Sequence, residues 1–435
     1  MRYFVIVPLL ACALLSAPAQ ATDLLQVYRD ALINDAVIAS ARSAREAGQE
    51  RSVQGRAGLL PVLGIGGSYN RINAEASARN IDYNVNTYAL TLTQPLLRMA
   101  NWETYQQGVL SVAISDAVYA QAQQDLIARV AQAYFDVLAA QDVLAFLKAQ
   151  EDAISEQLAS AKRNFEVGTA TITDSNEAQA RYDLAIAQQI AAQNDLDVKT
   201  AALQQIIGKP TGVLATLRPG IKLSPPEPAQ IDPWVRSAEE QNFGVIGQQL
   251  TLEIARREIS RSRAGHLPTL DLIASRGTTN QSSPSLTAQS GSVTSSTIGV
   301  QWQIPLYSGF AITSKVRESI ALEDKARSDL ENFRRTAAQA ARQSYFGVNS
   351  GLAQVRAYEA AEVSSLSALE SNRLGYQVGV RINIDVLNAQ QQLFSTRQLL
   401  AKARYDTLIA GLRLKAAAGT LKEDDLALVN GLLQN

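Results

Sequence analysis

Thr297-Ile298-Gly299-Val300-Gln301-Trp302-Gln303-Ile304 decides the fold. In an extended chain Ile298, Val300, Trp302 and Ile304 lie on one side and Thr297, Gly299, Gln301 and Gln303 on the other, because successive strand side chains point to opposite faces. An apolar face opposed by small and polar residues over about 9 to 11 positions is the pattern of a strand that crosses a membrane within a barrel. Tyr83 to Thr93 repeats it, with Tyr88, Leu90 and Leu92 set against Thr87, Ala89, Thr91 and Thr93. Each stretch has a partner upstream, Pro61 to Asn70 and Leu267 to Arg276, and the intervening Arg71 to Asp82 and Gly277 to Thr294 read as polar loops. Trp302, Tyr307 and Tyr88 suit an interfacial aromatic belt, although aromatic residues are also ordinary in strands.

The strand pairs belong to an internal duplication. Ala57-Gly58-Leu59-Leu60-Pro61-Val62-Leu63 returns as Ala264-Gly265-His266-Leu267-Pro268-Thr269-Leu270. Val167-Gly168, Asp174 and Ala178-Gln179 return as Val378-Gly379, Asp385 and Ala389-Gln390. A period of about 210 residues is far longer than a solenoid repeat. The expected organisation is a first repeat over 22–209, a proline-rich extended connector over 210–233, a second repeat over 234–420 and a short amphipathic tail over 421–435. Within each repeat the order is helix, strand pair (about 61–93 and 267–304), long helix (about 101–164 and 311–374), tip (about 166–174 and 377–385) and return helix.

Proline is absent from Leu96 to Lys209 and from Leu306 to Asn435, and both stretches are rich in strong helix formers. Leu126, Val130, Ala133, Val137, Ala140, Leu144 and Leu147 alternate spacings of four and three, a coiled-coil seam. Its small knobs suit helices packed side by side in a wall.

Residues 1–21 read as a secretory signal, with Arg2, an apolar run to Leu15 and Ala19-Gln20-Ala21 as the cleavage site. Leu9-Leu10-Ala11-Cys12 is a fainter lipoprotein-type alternative. Cys12, the single cysteine, leaves with the signal, which excludes disulfides and thiolate metal sites from the mature chain. The mature chain carries 39 basic residues, Arg2 having gone, against 41 acidic. That balance gives no case for nucleic acid. No later stretch has the roughly 18 to 20 consecutive apolar residues of a membrane helix, so any entry into a membrane must be by strands.

Four membrane strands leave two sheet edges, and unpaired N–H and C=O groups have no partner in lipid. Several copies must therefore close one barrel. Three give 12 strands and a ring roughly 24 Å across. Twelve helical columns at ~9.5 Å separation enclose a lumen of roughly 26 Å, close enough to run coaxially. Two copies would give eight strands, a size that side chains fill.

Gly265-His266-Leu267-Pro268-Thr269-Leu270-Asp271-Leu272, Pro305-Leu306-Tyr307-Ser308-Gly309, Val378-Gly379 with Asp385-Val386-Leu387, and Ala418-Gly419-Thr420-Leu421 together closely resemble the TolC family of outer-membrane exit ducts. The resemblance covers essentially the whole mature chain. It implies a mixed α and β membrane protein: a homotrimer with a 12-stranded transmembrane β-barrel in the Gram-negative outer membrane, continuous with a long periplasmic α-helical barrel. It further implies a periplasmic adaptor (membrane fusion) protein and an inner-membrane pump of RND, ABC or MFS type as partners, serving drug efflux, type I secretion or both. The competing reading is a periplasmic coiled-coil scaffold or adhesin without a pore, which leaves the four strands unexplained.

Residues 166–174 and 377–385 are also the turns that any antiparallel helix pair needs. Gly ends one helix, and Asp174 is placed to N-cap the next with Glu177 at capping-box spacing. By resemblance these hairpins are the periplasmic entrance, held shut by polar links. Tyr376 would bond to Asp174, Arg381 would reach the region of Thr173, and Asp385 would form a three-fold acidic ring able to hold a blocking cation. Relatives can carry a second Asp where Asn388 stands, so the ring here is less acidic. The adaptor would grip Val167, Gly168, Val378 and Gly379. His266, the lone histidine, is placed at a strand start as a structural residue, since one imidazole without clustered ligands makes a poor metal site. With no nucleotide loop, nucleophile arrangement or phosphate-binding glycine motif, the chain is read as no enzyme and as needing no cofactor.

Overall fold

The computed structural model describes residues 21–76, 79–282 and 291–434. The signal reading, including Cys12, lies outside these residues apart from Ala21.

Each repeat opens with a short helix that breaks into a longer one. In the first, α1 (Leu24–Asn34) and α2 (Ala36–Ala57) meet at Asp35, whose extended backbone and side chain, accepting from Ile38 N, start the second helix. In the second, α5 (Ile231–Gln241) and α6 (Phe243–Arg263) meet in the same way at Asn242, which accepts from Gly244 N and Val245 N. A short polar side chain that satisfies the orphan N–H groups of the next helix is what a mid-helix break requires.

The strands follow: β1 (Val62–Ala76) and β2 (Arg79–Leu97), then β3 (Thr269–Gln281) and β4 (Gly291–Gln303). They form one antiparallel sheet in the order β1-β2-β3-β4, with β2 and β3 joining the two repeats. Directly paired residues share a face. The register Leu63↔Leu92↔Ala274↔Ile298 and Ile65↔Leu90, with Leu272↔Val300 and Leu270↔Trp302, therefore collects the large apolar residues on one side. Gly64, Thr91, Ser275 and Thr297 fall on the other.

At 15, 19, 13 and 13 residues the strands exceed the 9 to 11 expected. Of the polar stretches read as loops, 71–76, 79–82, 277–281 and 291–294 instead continue the ladder; Arg71 pairs with Asn84 along the backbone and its guanidinium holds Asp82 at 2.6 Å. Hydropathy marks the depth of lipid a strand crosses, whereas its length is set by how far backbone pairing continues. His266 also differs, standing exposed in a 3₁₀ turn (Ala264–His266) before β3. At the base of the sheet the Arg98 guanidinium makes a two-pronged contact with the buried Asp271 carboxylate, at 2.8 and 2.5 Å, tying the end of β2 to β3.

The long helices are α3 (Met99–Glu166) and α7 (Ala311–Gln377), and their return helices are α4 (Ile172–Ile207) and α8 (Asn383–Ala417). A 68-residue helix is about 100 Å long at 1.5 Å per residue. Nearer the sheet α2, α3, α6 and α7 pack in that order, and farther away α3 with α4 and α7 with α8 form two antiparallel coils. Small residues permit the close approach: a Cβ on Gly108 would lie 2.6 Å from the Arg51 carbonyl of α2. Of the expected seam, every residue except Ala133 is buried. Among the described residues one helix, α3, contains an 18-residue window apolar enough to span a membrane, and half of that window is buried inside the protein.

The largest core lies midway along α3. Leu126, Val130, Tyr134, Phe135 and Leu138 pack there with α1, Leu203 and Ile207 of α4, and Tyr405, Ile409 and Leu412 of α8. The connector wraps this core as extended chain. Leu214 bridges Thr22, Leu217 bridges Leu433, and Tyr134 Oη donates to Ala215 O at 2.7 Å. The C-terminal α9 (Glu423–Asn430) closes the belt, with Leu426 and Leu433 fully buried. Tyr405 Oη donates to Asp142 Oδ2 at 2.6 Å, so a polar bond joins the two repeats inside this core.

Candidate functional site

The ends farthest from the sheet are two hairpins of one design. After α3, Val167 caps and Gly168 turns at φ 78; after α7, Val378 caps and Gly379 turns at the same φ. Only glycine adopts this left-handed position without strain. Thr169 N then closes on Asn164 O at 2.8 Å, and Val380 N on Gly375 O at 2.8 Å. Nothing lies within 4 Å of where a Cβ would stand on either glycine. Val167 and Val378 are 73% and 65% exposed, and Val380 and Ile382 are exposed beside them, so each tip presents an apolar knuckle.

The two hairpins differ in how the return helix begins. Thr171, not Asp174, is the N-cap of α4: it accepts from Asp174 N, while Asp174 Oδ2 takes bonds from Thr171 N at 3.0 Å and Thr171 Oγ1 at 2.7 Å. This is a capping box with aspartate at the third helical position. In α8 the N-cap is Ile382, whose side chain bonds to nothing, and Asp385 lies instead 3.6 Å from Arg381.

Several expected site residues therefore have other partners within one protomer. Tyr376 Oη receives a bond from Asn164 Nδ2 at 3.2 Å rather than meeting Asp174, because the Asp174 carboxylate is engaged by its own capping box. Arg381 turns to Asp385 within its own hairpin, and Thr173 is exposed at the start of α4. Asp385 and Asn388 do come together: with Arg381, Ser365, Asn372 and Gln392 they line a groove of about 540 Å³ between α7 and α8. Three carboxylates do not converge in one protomer; among the described residues no cluster of three or more His, Cys, Asp or Glu side chains is arranged to hold a metal ion.

Sequence reasoning singled out Tyr376 and Asn388 but missed their partners and the other residues that join the two hairpins. Gln157 Nε2 donates to Asn383 Oδ1, Asn164 to Tyr376, and the Arg181 guanidinium to Gln391 Oε1 at 2.6 Å and Asn388 Oδ1 at 3.1 Å. Apolar contacts of Ile154, Leu158, Ala161, Ala178 and Ala185 with Leu387 lie beneath these bonds. A signal for Arg181 was present: α4 has only two basic residues, Arg181 and Lys199, and it faces a run of amides in α8.

An open-edged sheet with one apolar face, carried on helices of about 100 Å and ending in paired hairpins, is the architecture of a duct subunit. The sequence pattern described as "Outer membrane efflux protein" matches residues 27–209 and 234–420. The chain belongs to this family. It is similar to Outer membrane protein TolC of Escherichia coli (strain K12), 35% identical over 433 residues, which cover 96% of this chain and 86% of that one. It is also similar to Proteases secretion protein PrtF of Dickeya chrysanthemi, 36% identical over 424 residues, covering 94% and 90%. The crystal structure of the Campylobacter jejuni CmeC outer membrane channel shares the fold, with a TM-score of 0.80 at 18% identity over 94% of this chain and 90% of that one. The protein is an outer-membrane channel of the export class, mixed α and β and mostly helical, and the reading as a non-conducting periplasmic rod falls.

Proposed function

We propose that three copies of this chain close a single 12-stranded barrel in the outer membrane, continuous with a helical barrel through the periplasm. The observation that carries this reading is the sheet: among the described residues the outer edges of β1 and β4 pair with no strand of the same chain. Open edges on a lipid-facing sheet require partners, and copies of the same four strands supply them. On this reading the division into two repeats, 22–209 and 234–420, gives six equivalent columns of coiled coil per trimer, with the connector 210–233 and tail 421–435 as the belt around them.

The assembled duct receives cargo at its periplasmic end from an inner-membrane RND, ABC or MFS pump through a periplasmic adaptor, for efflux of drugs, type I secretion of proteins or both. The apolar knuckles at Val167-Gly168 and Val378-Gly379 are the adaptor's footing. Tyr376, Arg381, Asp174, Thr173, Asp385 and Asn388 form the gate, and their links across protomers add to the bonds seen within one. Purified protein in planar bilayers tests this. A trimeric species of low conductance, raised by Tyr376→Phe combined with Arg381→Ser, is expected. A folded monomer in membranes, or trimers without conductance in either form, refutes it.

A further inference from the structure

The bonds between the hairpins of one protomer are unequal. Asn164 with Tyr376 and Gln157 with Asn383 join neutral groups, whereas Arg181 brings a full charge. Among the described residues it is the one cation that crosses from α4 to α8 at the tip. Its acceptors, Asn388 and Gln391, are three residues apart and so share one helix face, and the planar guanidinium meets both at once. Such a fork fixes direction as well as distance; its bonds are charge-assisted but solvent-exposed, so its hold lies in geometry more than in strength. Arg181 lines a small depression with Ile154, Leu184, Ala185 and Leu387 and with the amides of Gln150, Gln188 and Gln391.

We propose that Arg181 is the clamp of the gate, a positioning residue that locks the second hairpin onto the first through Asn388 and Gln391. This rests on the reading of the tips as the gate. Any swing of α8 away from α4 must break both prongs of the fork before the apolar contacts at Leu387 part. The same geometry sets the charge at this level of the duct. Asn388 is one turn beyond Asp385, and the group beside it is a guanidinium, so this level carries positive charge where a second carboxylate would have made it acidic.

Arg181→Ala should raise the conductance of trimers in planar bilayers by at least about threefold. Arg181→Lys, which cannot hold both acceptors in one plane, should fall between that variant and wild type. Asn388→Asp should lower conductance below wild type by pairing its charge with Arg181, and that effect should vanish when Arg181→Ala is added. Tyr376→Phe with Arg381→Ser is the control. If the control raises conductance and Arg181→Ala does not, the clamp is refuted and the gate stands. If neither changes it, the gate reading fails and the clamp with it. Lower conductance in Arg181→Ala also overturns the proposal, since the fork would then hold the tips apart. Should Arg181→Ala fail to yield heat-resistant trimers, Asn388→Ala with Gln391→Ala removes the acceptors instead and must raise conductance by the same measure.

Discussion

Tyr405→Phe removes a single oxygen from the belt core, and its cost should depend on pH. Tyr405 is only 4% exposed, its ring lies 5.6 Å from that of Phe135, and its hydroxyl donates to Asp142 at 2.6 Å. Burial pushes the Asp142 carboxyl above its ordinary value, and the bond from Tyr405 draws it partly back. Burial and the nearby Asp142 charge push the Tyr405 hydroxyl upward in turn, so it stays a donor at all working pH. An acid raised in the folded state contributes stability that is full below its ordinary value and lost as pH rises through the folded one. Without the hydroxyl, burial acts on Asp142 unopposed, and the carboxyl rises further. The substitution should therefore cost about 2–3 kcal/mol at pH 8, where a buried charge is left without its donor. As the pH falls and the carboxyl takes up its proton, the penalty should shrink toward about 1 kcal/mol. The readout is the rate at which heat-resistant protein is lost, a kinetic measure that does not require reversible unfolding. A difference near 1.4 kcal/mol is about tenfold in that rate if the bond is broken at the barrier. Adding Asp142→Asn should restore most of the loss at pH 8. A penalty that does not shrink as the pH is lowered from 8, or no relief from Asp142→Asn, would refute the account.

Gly419→Ala should abolish the heat-resistant form, because at φ 74 the new Cβ would stand 2.3 Å from the Gln241 carbonyl at the α5–α6 break; Gly168→Ala, at φ 78 with nothing within 4 Å, should cost only about 1–2 kcal/mol. Asp385→Ala should abolish block by a trivalent cation added from the periplasmic side in bilayer recordings, and equal cation affinity in wild type and variant would remove Asp385 from the constriction.

The parts legible in the sequence were those governed by period and by composition. Alternation at Ile298, Val300 and Trp302 assigns a face, and the proline-free runs assign long helix, because both signals are local. The strand ends were not legible, since Arg71 pairs with Asn84 through the backbone and with Asp82 through charge, and neither contact depends on hydropathy. At the tips the turns could be read from Gly168 and Gly379, whose left-handed backbone needs glycine. The bonds between hairpins could not. Asn164 with Tyr376 and Arg181 with Asn388 lie 212 and 207 residues apart, and their pairing depends on how two coils lie against each other. The N-cap was misread for a related reason: Thr171 and Asp174 are each good capping residues, and the capping box places the aspartate three positions inside the helix.

That capping difference separates the roles of two hairpins that otherwise share one design. In the first, Thr171 and Asp174 satisfy each other's backbone groups, and such a cap typically contributes about 1 kcal/mol to holding the first turn of a helix. In the second, Ile382 leaves the first turn of α8 without a side-chain cap, and Asp385 is turned toward Arg381 and the groove. The start of α8 is held instead by burial and by the other hairpin: Asn383 is buried and accepts the bond from Gln157, and Val386 and Leu387 are buried beside it. Arg181 projects from the better-capped α4, and its two acceptors belong to the less well-capped α8. On the proposed reading of the tips as the gate, parting the coils removes the bonds from Gln157 and Arg181 to α8 while the capping box of α4 stays intact. The two hairpins share one design, and a threonine in one against an isoleucine in the other gives only the first a side-chain cap that is independent of its neighbour.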